Sequence, residues 1–502
     1  MRNPRRVHPL VWLLLIVVPA LVRLAPIEHG KPDNYLPDTH VVRNALGMAK
    51  DRTLIPPSGK YSTYPYLLPY VLLPVYAGQY ALGRIEGEWK GSGEFGNRIM
   101  EDPWRVHLPA RIALALLASL APLWVFLGLR RAGLGVGALG GAFFMATCLL
   151  HVHHSTQERP WASLVMLLMG CAWSCAAFVQ SGRYRHLVAS GVWAGLAVAC
   201  HQGGLPAVLM PALAWVWAPH GWRARELRTR LRFGLLCASA FLIVAVLLGN
   251  PYLLVHGWPK GDAVVMNEAL QGTTHFTLGG QSTVFGFRLA SFQHLARTLV
   301  GYDPAIVVLG LAGLVLALRN RPARPVVVFA LLWGAYWMTN VNDHVRYLLP
   351  LAAGLTWAVG FACEWGWKRP WARAIVVGLG LLTCVQAARF ALVMNRTDTR
   401  GLIQEQLLAM PGPMDIAVDL GGPDLPLDAA SLERLAGLRG LYAREAHRRE
   451  LLEAGVVLRP SFAALPLEAV VQLDRRHHGS WLTDSARARY GEDLKTVLAH
   501  AG

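Results

Sequence analysis

The chain of 502 residues is poor in charge, since charged residues make up 16% of it, whereas soluble domains average about 25%. Hydrophobic residues make up 54%, and the mean hydropathy is +0.35. The apolar residues come in long uncharged runs and do not alternate with polar ones. Length alone would allow about three soluble domains, but this pattern excludes them and predicts a polytopic α-helical membrane protein.

Cysteine is scarce as well, and its placement excludes two kinds of site. All seven cysteines lie inside apolar runs, and none lies in a hydrophilic loop. Cys171 and Cys175 are one helical turn apart, which for buried residues is typical of packing. The sequence therefore indicates neither a disulfide framework nor a zinc-ligand spacing, and redox chemistry is not expected.

Acidic residues are fewer than basic residues, which gives the chain a net charge of +17. In a soluble protein such an excess would indicate nucleic-acid binding. Here the basic residues collect in short loops between the apolar runs, as the positive-inside rule describes for cytoplasmic loops. Residues 393–502 hold 13 Lys and Arg against 15 Asp and Glu, so the excess belongs to the membrane part. Membrane lipids are expected around this chain, and nucleic acid is not.

Eleven apolar runs approach the roughly 20 residues that a bilayer-spanning helix needs. They lie at about 9–26, 107–129, 133–151, 160–181, 187–201, 204–219, 233–251, 304–318, 325–341, 347–363 and 373–392. The first run carries Arg23 near its far end and shows no small-residue cleavage site. It therefore resembles an anchor more than a cleaved signal peptide.

Five basic clusters predict the orientation, because each follows an even-numbered span and falls in the cytoplasm if the N-terminus does. The clusters are Arg130-Arg131, Arg183-Tyr-Arg185, the Arg223 to Arg232 stretch, Arg319 to Arg324 and Lys368-Arg369. The expected outward segments are 27–106, 152–159, 202–203, 252–303, 342–346 and the tail. The sequence therefore predicts an integral protein of the cell (inner) membrane, with its N-terminus in the cytoplasm and its C-terminal part outside.

Two domains are expected, a transmembrane domain over 1–392 and an extracytoplasmic C-terminal domain over 393–502. In the outward loop 27–106, residues 64–82 contain three prolines and five tyrosines, which favours a kinked segment at the membrane interface. The tail alternates strand-like and helical pieces and is predicted to be a small α/β domain. Its strand-like pieces lie at 416–418, 456–458 and 469–471, and its helical piece lies at 429–438.

Two aspartates lie in the first outward loop. The loop reads Asp33-Asn-Tyr-Leu-Pro-Asp38-Thr-His40 and is followed by a helical stretch over 41–50. Asp38 would lie at or near the N-terminus of that helix, where Asp is a common cap. Capping is the simple interpretation, and a catalytic carboxylate is the alternative.

Three histidines and a glutamate occupy the second outward loop, which reads His151-Val-His153-His154-Ser-Thr-Gln-Glu158-Arg159. The histidine spacing is not the i, i+4 pair with an adjacent base found in metalloenzymes. His151 and His154 can still share a helix face, so a divalent metal is compatible with the sequence, although interfacial histidines or phosphate donors are favoured. Glu158 is paired with Arg159, solvated, or part of a site.

Two more outward positions are polar at the ends of apolar spans. His201 lies before Gln202 and two glycines, and polar groups at this depth are typical of a cavity lining. Arg346 and Tyr347 open the tenth span from outside. Arg346 either snorkels to the interface or binds an anion, since few isolated cations lie on this side.

Short motifs follow one another in a particular order along the chain. They are Pro37-Asp38, Tyr64-Pro65-Tyr66, Ala110-Arg111, Arg130-Arg131, Gly195-Leu-Ala, Asn250-Pro251-Tyr252, Arg346-Tyr347-Leu-Leu-Pro350 and Asp398-Thr399-Arg400. This order resembles the C-type (GT-C) glycosyltransferases, specifically the family 39-like enzymes related to protein O-mannosyltransferases and the aminoarabinose transferase of lipid A. The chain departs from the family pattern at Thr39, where Glu is common, at Glu158-Arg159-Pro160, where Pro-Asp is common, and at His201, where Lys is common.

The resemblance implies a GT-C-like fold and the transfer of a hexose or pentose from a polyprenyl-phosphate donor to a lipid, glycan or protein hydroxyl outside the membrane, with inversion at C1. It implies Asp38 as general base, with Glu158 orienting the acceptor or sharing that role and Asp33 as a further candidate. Arg346 would hold the donor phosphate through a bidentate fork, helped by Tyr347, His201 and His154. No metal ligands are assigned.

Two other classes of function are compatible with the sequence. A polytopic transporter or flippase for a lipid-linked or sugar substrate would usually show inverted repeats and charges near the bilayer centre, whereas here the unusual residues collect at one face. A non-catalytic membrane scaffold would use its tail to bind a partner and would tolerate the loss of Asp38.

Overall fold

The structure, a computed structural model, describes residues 8–31, 39–57, 60, 64–218, 224–257, 264–266, 274–278, 281–285, 289–339, 344–410, 414–416, 425, 427–439, 443–455 and 462–464. Within these residues the chain is predominantly helical. In the first half the α-helices are α1 Pro9–Leu24, α2 His40–Lys50, α3 Leu67–Glu86, α4 Ser92–Glu101, α5 Trp104–Ala118, α6 Ala121–Arg131, α7 Val136–Thr147, α8 Leu149–Ser155, α9 Pro160–Ser181, α10 Tyr184–Cys200, α11 Leu209–Val216 and α12 Ala224–Val244.

The second half continues the series. Its α-helices are α13 Tyr252–Val255, α14 Leu289–Tyr302, α15 Pro304–Arg319, α16 Arg324–Thr339, α17 Leu349–Trp367, α18 Pro370–Met394, α19 Thr399–Ala409, α20 Ala429–Arg439 and α21 Ala443–Glu453. Short 3-10 helices at Gln202–Val208 and Val345–Leu348 precede α11 and α17, and a π-helical turn at Ala245–Gly249 ends α12.

Each of the eleven predicted spans overlaps one or two of these helices. Among the described residues, five helical stretches are long and apolar enough to cross a membrane, and seven are if each of two bent helix pairs counts as one span. The five are Trp104–Arg131, Pro160–Ser181, Leu227–Gly249, Val345–Trp367 and Pro370–Ala409. The chain is thus an integral membrane protein, and the total of eleven spans stays a prediction.

Helices α9 and α17 form the centre of the bundle. Buried residues make up 94% of the apolar window of α9 and 89% of that of α17, but only 17% and 22% of the windows at α12 and α18. Apolar side chains that face outward on α12 and α18 suit contact with lipid. Around α17, glycines such as Gly137 and Gly313 leave no room for a side chain against the neighbouring helix backbone, which lets the helices approach closely.

Two sharp bends interrupt the helices of the bundle. Helices α7 and α8 meet at 49° on either side of Cys148, and α14 and α15 meet at 106° on either side of Asp303. Such breaks free backbone groups that must find other partners inside a membrane.

The predicted outward loop 252–303 contains a small antiparallel sheet. Its strands are β1 Val264–Met266, β2 Thr274–Leu278 and β3 Gln281–Phe285, in the order β1-β2-β3. Val264 pairs with Phe276, and Thr277 pairs with Ser282. The sequence analysis assigned no strands here, because the pieces are only three to five residues long.

The tail is described in part. The predicted helix at 429–438 is confirmed as α20, and β4 (Met414–Ile416) pairs in parallel with β5 (Phe462–Ala464). Helix α21 contacts α4 of the first outward loop, and Asn395 Nδ2 donates to the carbonyl of Ala25 at 3.0 Å. The strand-like pieces at 456–458 and 469–471 lie outside the described residues, so the α/β domain stays a prediction.

Candidate functional site

Three predicted residues, His201, Arg346 and Tyr347, lie around the indole ring of Trp161, and His154 lies near Arg346. The Trp161 ring lies 4.4 Å from the His201 ring and 5.0 Å from the Tyr347 ring, measured between centroids. The guanidinium carbon of Arg346 lies 5.9 Å from the Trp161 centroid, and Arg346 is close enough to act electrostatically on His154 and His201. We call these residues, His154, Trp161, His201, Arg346 and Tyr347, the Trp161 cluster.

Helix ends from three parts of the sequence form this cluster. Arg159 is extended and Pro160 begins α9, since proline suits the first position of a helix. Helix α10 ends at an extended His201, whose Nδ1 accepts from the backbone N–H of Gly203 at 2.9 Å. Arg346 lies on the 3-10 turn that leads into α17. The four predicted phosphate-binding residues, His154, His201, Arg346 and Tyr347, are therefore near one another although up to 193 positions separate them.

The cluster contains buried nitrogens that lack partners. Among the described residues, Arg346 Nε, His154 Nδ1 and Trp161 Nε1 are buried and have no hydrogen-bond partner. Burying such groups unpaired costs free energy. The Tyr347 ring stacks on the Trp337 ring at 3.9 Å between centroids. A cation with unpaired N–H groups beside it is suited to binding an anion.

Glu158 lies in a separate, fully buried ion pair. Arg111 Nε donates to one oxygen of Glu158 at 2.8 Å, and His107 Nδ1 lies 2.7 Å from the other. A terminal nitrogen of Arg111 donates to the carbonyls of Ile27 at 3.2 Å and His29 at 2.7 Å. The pair therefore joins the second outward loop, helix α5 and the beginning of the first outward loop.

Glu158 and His29 lie outside the candidate membrane-spanning helices. Burial disfavours the charged form of Glu158, but the hydrogen bond with His107 and the charge of Arg111 outweigh burial and lower the pKa of Glu158 to about 2. Burial and the charge of Arg111 lower the pKa of His29 to about 4. At neutral pH Glu158 is thus a carboxylate with little tendency to accept a proton.

The first outward loop reaches the Trp161 cluster through two aromatic contacts. The His40 ring lies 4.8 Å from the Tyr64 ring, which lies 5.2 Å from the His201 ring. The helix predicted over 41–50 is confirmed as α2, and its N-cap is Thr39, without a side-chain cap bond. Asp33 and Asp38 lie outside the described residues, so their roles stay predictions.

The histidines of α8 have separate partners. His151 Nδ1 lies 2.8 Å from an Arg23 nitrogen, and His153 Nδ1 lies 3.0 Å from the Tyr302 hydroxyl. The His153 and His154 rings stack at 5.1 Å. In the part of the chain that the structure describes, no group of three or more His, Cys, Asp or Glu side chains is placed to hold a metal ion.

The sequence analysis missed several residues that complete these sites. Arg23 and Arg111 lie inside predicted spans and are fully buried, and an ionisable residue at that depth is by itself a sign of function. For Trp161 and His107 the sequence carries no comparable signal, since aromatic residues are common at membrane interfaces. The partner of Glu158 is 47 positions away, beyond any local pattern.

Comparison with known proteins confirms the family resemblance. Residues 98–249 match the family model of dolichyl-phosphate-mannose-protein mannosyltransferases. This stretch begins in α4, ends at the π-helical turn and contains His107, Arg111, His154, Glu158 and His201. A search of curated proteins found no match.

Several solved structures are similar to the chain. One is ArnT from Cupriavidus metallidurans bound to undecaprenyl phosphate, with 14% identity and a TM-score of 0.45 over 98% of this chain and 77% of that one. Another is the oligosaccharyltransferase of Archaeoglobus fulgidus in the apo form, with 13% identity and a TM-score of 0.45 over 89% of this chain and 60% of that one.

Proposed function

We propose that this membrane protein is a glycosyltransferase that moves a sugar from a polyprenyl-phosphate donor to an acceptor hydroxyl at the outer face of the membrane. One observation carries the proposal. The Trp161 cluster gathers a cation and buried nitrogens without partners among the described residues, at the end of a bundle whose residues 98–249 match a mannosyltransferase family. An anionic leaving group is what such a cluster would stabilise.

The donor phosphate would bind at Arg346. A guanidinium can offer two parallel N–H groups to two phosphate oxygens, and its stacking beside Trp161 and Tyr347 holds its plane in place. His154 and His201 would add further donors. Phosphate needs no proton to leave, so the site's task is to stabilise the negative charge that grows as the bond to C1 breaks.

The acceptor hydroxyl would lose its proton to Asp38 as its oxygen attacks C1. The new C–O bond forms as the bond between C1 and the phosphate oxygen breaks, which inverts C1 and releases polyprenyl phosphate. The contacts of His40 and Tyr64 support this role, because they bring the residue two positions after Asp38 towards His201. With its low pKa, Glu158 is better suited to orienting the acceptor than to removing a proton. Asp33 is the alternative base in the same loop.

The proposed orientation has the N-terminus in the cytoplasm, residues 1–392 in the inner membrane and residues 393–502 outside. Its support is the alternation of basic loops together with the contents of the Trp161 cluster. The cluster combines the end of α8, the beginning of α9, the end of α10 and the beginning of α17. The loop prediction assigns all of these to the outer side.

The test is transfer kinetics with purified polyprenyl-phosphate sugars across Arg346 variants. Arg346→Lys keeps the charge but loses the fork, so we expect clearly slower transfer, and Arg346→Ala should be slower still. Arg369 provides a matched control, because it stacks at 4.1 Å on Trp365, near the opposite end of α17 from Arg346. Arg369→Lys should leave the transfer rate unchanged.

Two results would contradict the proposal. Wild-type rates for Arg346→Lys would mean that Arg346 only snorkels, and the phosphate site would then be sought at the histidines. Movement of the donor across sealed vesicles with no covalent product would indicate a transporter.

A further inference from the structure

A pair of opposite buried charges lies at the break between α7 and α8. Arg23 of α1 is fully buried, and Asp303 between α14 and α15 is 1% exposed. Both are close enough to act electrostatically on Cys148, the residue at which the helix bends by 49°. Neither residue belongs to the Trp161 cluster.

Arg23 binds the carboxyl end of α7. Its terminal nitrogens donate to the carbonyl oxygens of Ala146 at 3.2 Å and Met145 at 3.5 Å. These carbonyls are left open where the helix breaks, and a cation is favourable at the negative end of a helix dipole. Arg23 also lies 2.8 Å from His151 Nδ1, so the same side chain holds the end of α7 and a residue of α8.

Asp303 binds the amino end of α8. One carboxylate oxygen accepts from the N–H of Leu149 at 2.7 Å, and the other accepts from the N–H of Leu150 at 3.0 Å. Asp303 precedes Pro304, where it would be expected to cap its own helix α15, yet it makes no side-chain cap bond there. It instead caps a helix about 150 positions earlier in the chain.

Tyr302, the residue before Asp303, contacts the side of α8. The Tyr302 hydroxyl lies 3.0 Å from His153 Nδ1, and its ring stacks on the His153 ring at 5.9 Å. His153 in turn stacks on His154. His154 Nδ1 has no partner among the described residues and lies in the electrostatic range of Arg346.

We propose that Arg23 and Asp303 are positioning residues that hold the α7–α8 break and thereby direct His154 at the donor phosphate. The inference rests on the proposed function and adds to it. It assigns the orientation of His154, a phosphate donor of the Trp161 cluster, to two residues outside that cluster. A seven-residue helix is too short to hold its own direction in the absence of such contacts.

A double-mutant cycle in the full-length protein tests this, with undecaprenyl phosphate as the probe and undecaprenol as its uncharged counterpart. His154→Ala should weaken undecaprenyl phosphate binding about tenfold, the usual loss for a hydrogen bond to a charged group. Asp303→Asn keeps the shape but loses one acceptor, so we expect it to weaken binding severalfold. If Asp303 acts through His154, Asp303→Asn should have no further effect on the His154→Ala protein.

Glu364 provides the matched control. It caps the opposite end of α7 from a different helix, accepting from the N–H groups of Gly135 at 3.0 Å and Gly137 at 2.9 Å. Glu364→Gln should cost stability in the same way as Asp303→Asn but leave the affinity for undecaprenyl phosphate unchanged. If Asp303→Asn does not fold, Tyr302→Phe removes only the hydroxyl beside His153 and enters the same cycle.

The outcomes separate the two proposals. A wild-type protein that binds undecaprenyl phosphate no better than undecaprenol overturns the proposed function and, with it, this inference. If the wild-type protein clearly prefers undecaprenyl phosphate, three results would overturn the positioning role alone. They are additive effects of Asp303→Asn and His154→Ala on binding, no effect of His154→Ala, and equal effects of Asp303→Asn and Glu364→Gln.

Discussion

Replacing Arg111 with methionine should destabilise the protein strongly, because it leaves Glu158 charged and buried. Both side chains of this ion pair are almost fully buried, with exposures of 1% for Arg111 and 0% for Glu158. Removing one partner of a buried pair typically costs about 3–5 kcal/mol. The charge of Arg111 is also one of the causes that lower the pKa of Glu158, after the hydrogen bond with His107.

The same pair predicts how stability depends on pH. The folded pKa of Glu158 is lowered, so its contribution is present above about pH 4.5 and is lost as the pH falls towards 2. Arg111→Met should raise the pKa of Glu158 and weaken this dependence, although the hydrogen bond with His107 should retain part of it. Glu158→Gln should remove the dependence.

The assay is the free energy of unfolding in mixed detergent micelles, measured from pH 7.5 down to about pH 2 on single and double variants, so that it covers the range in which the Glu158 contribution is lost. Arg105→Met is the matched control, because Arg105 pairs with Glu88 at 3.2 Å where both side chains are more than a third exposed. Such a pair contributes at most about 1 kcal/mol. Arg111→Met combined with Glu158→Gln should cost less than the sum of the two single changes. Equal losses for Arg111→Met and Arg105→Met, or strict additivity, would refute this reasoning.

Two further predictions concern catalysis and topology. Asp38→Asn should leave folding intact, since Asn has nearly the same size and shape as Asp and the N-cap of α2 is Thr39, while turnover falls by about two to four orders of magnitude; a near-normal transfer rate would assign the base to Asp33. A reporter that is active only outside the cytoplasm should work when fused after residue 395 and fail when fused near Arg225, and the opposite pattern would place the proposed site residues on the wrong side of the membrane.

Much of the membrane part could be predicted from the sequence. An apolar run in lipid has to satisfy its backbone hydrogen bonds internally, so it becomes a helix wherever it is long enough. Every predicted span accordingly overlaps one or two helices, and the predicted helices after Asp38 and at 429–438 are α2 and α20. The small sheet in the loop 252–303 escaped prediction, because its strands are too short for periodicity to show.

Most residues of the candidate anion site could be predicted from the sequence. His154, His201, Arg346 and Tyr347 are polar or aromatic residues at the predicted outer ends of apolar runs, and ends on one side of a membrane lie near each other. The sequence contained no sign that Trp161 would lie between them, since a tryptophan at an interface is ordinary.

The sequence by itself determined which segments are helical, which ends share a side and which residues are unusual there, because these properties depend on hydrophobicity and charge along the chain. Only the tertiary structure decided the partners of the buried charges. Glu158 binds Arg111, Asp303 caps α8 and Arg23 binds His151, across 47, about 150 and 128 positions of the chain. A buried charge must be paired wherever the packing places it, and helix packing depends on side-chain shapes along whole helices that no local pattern contains.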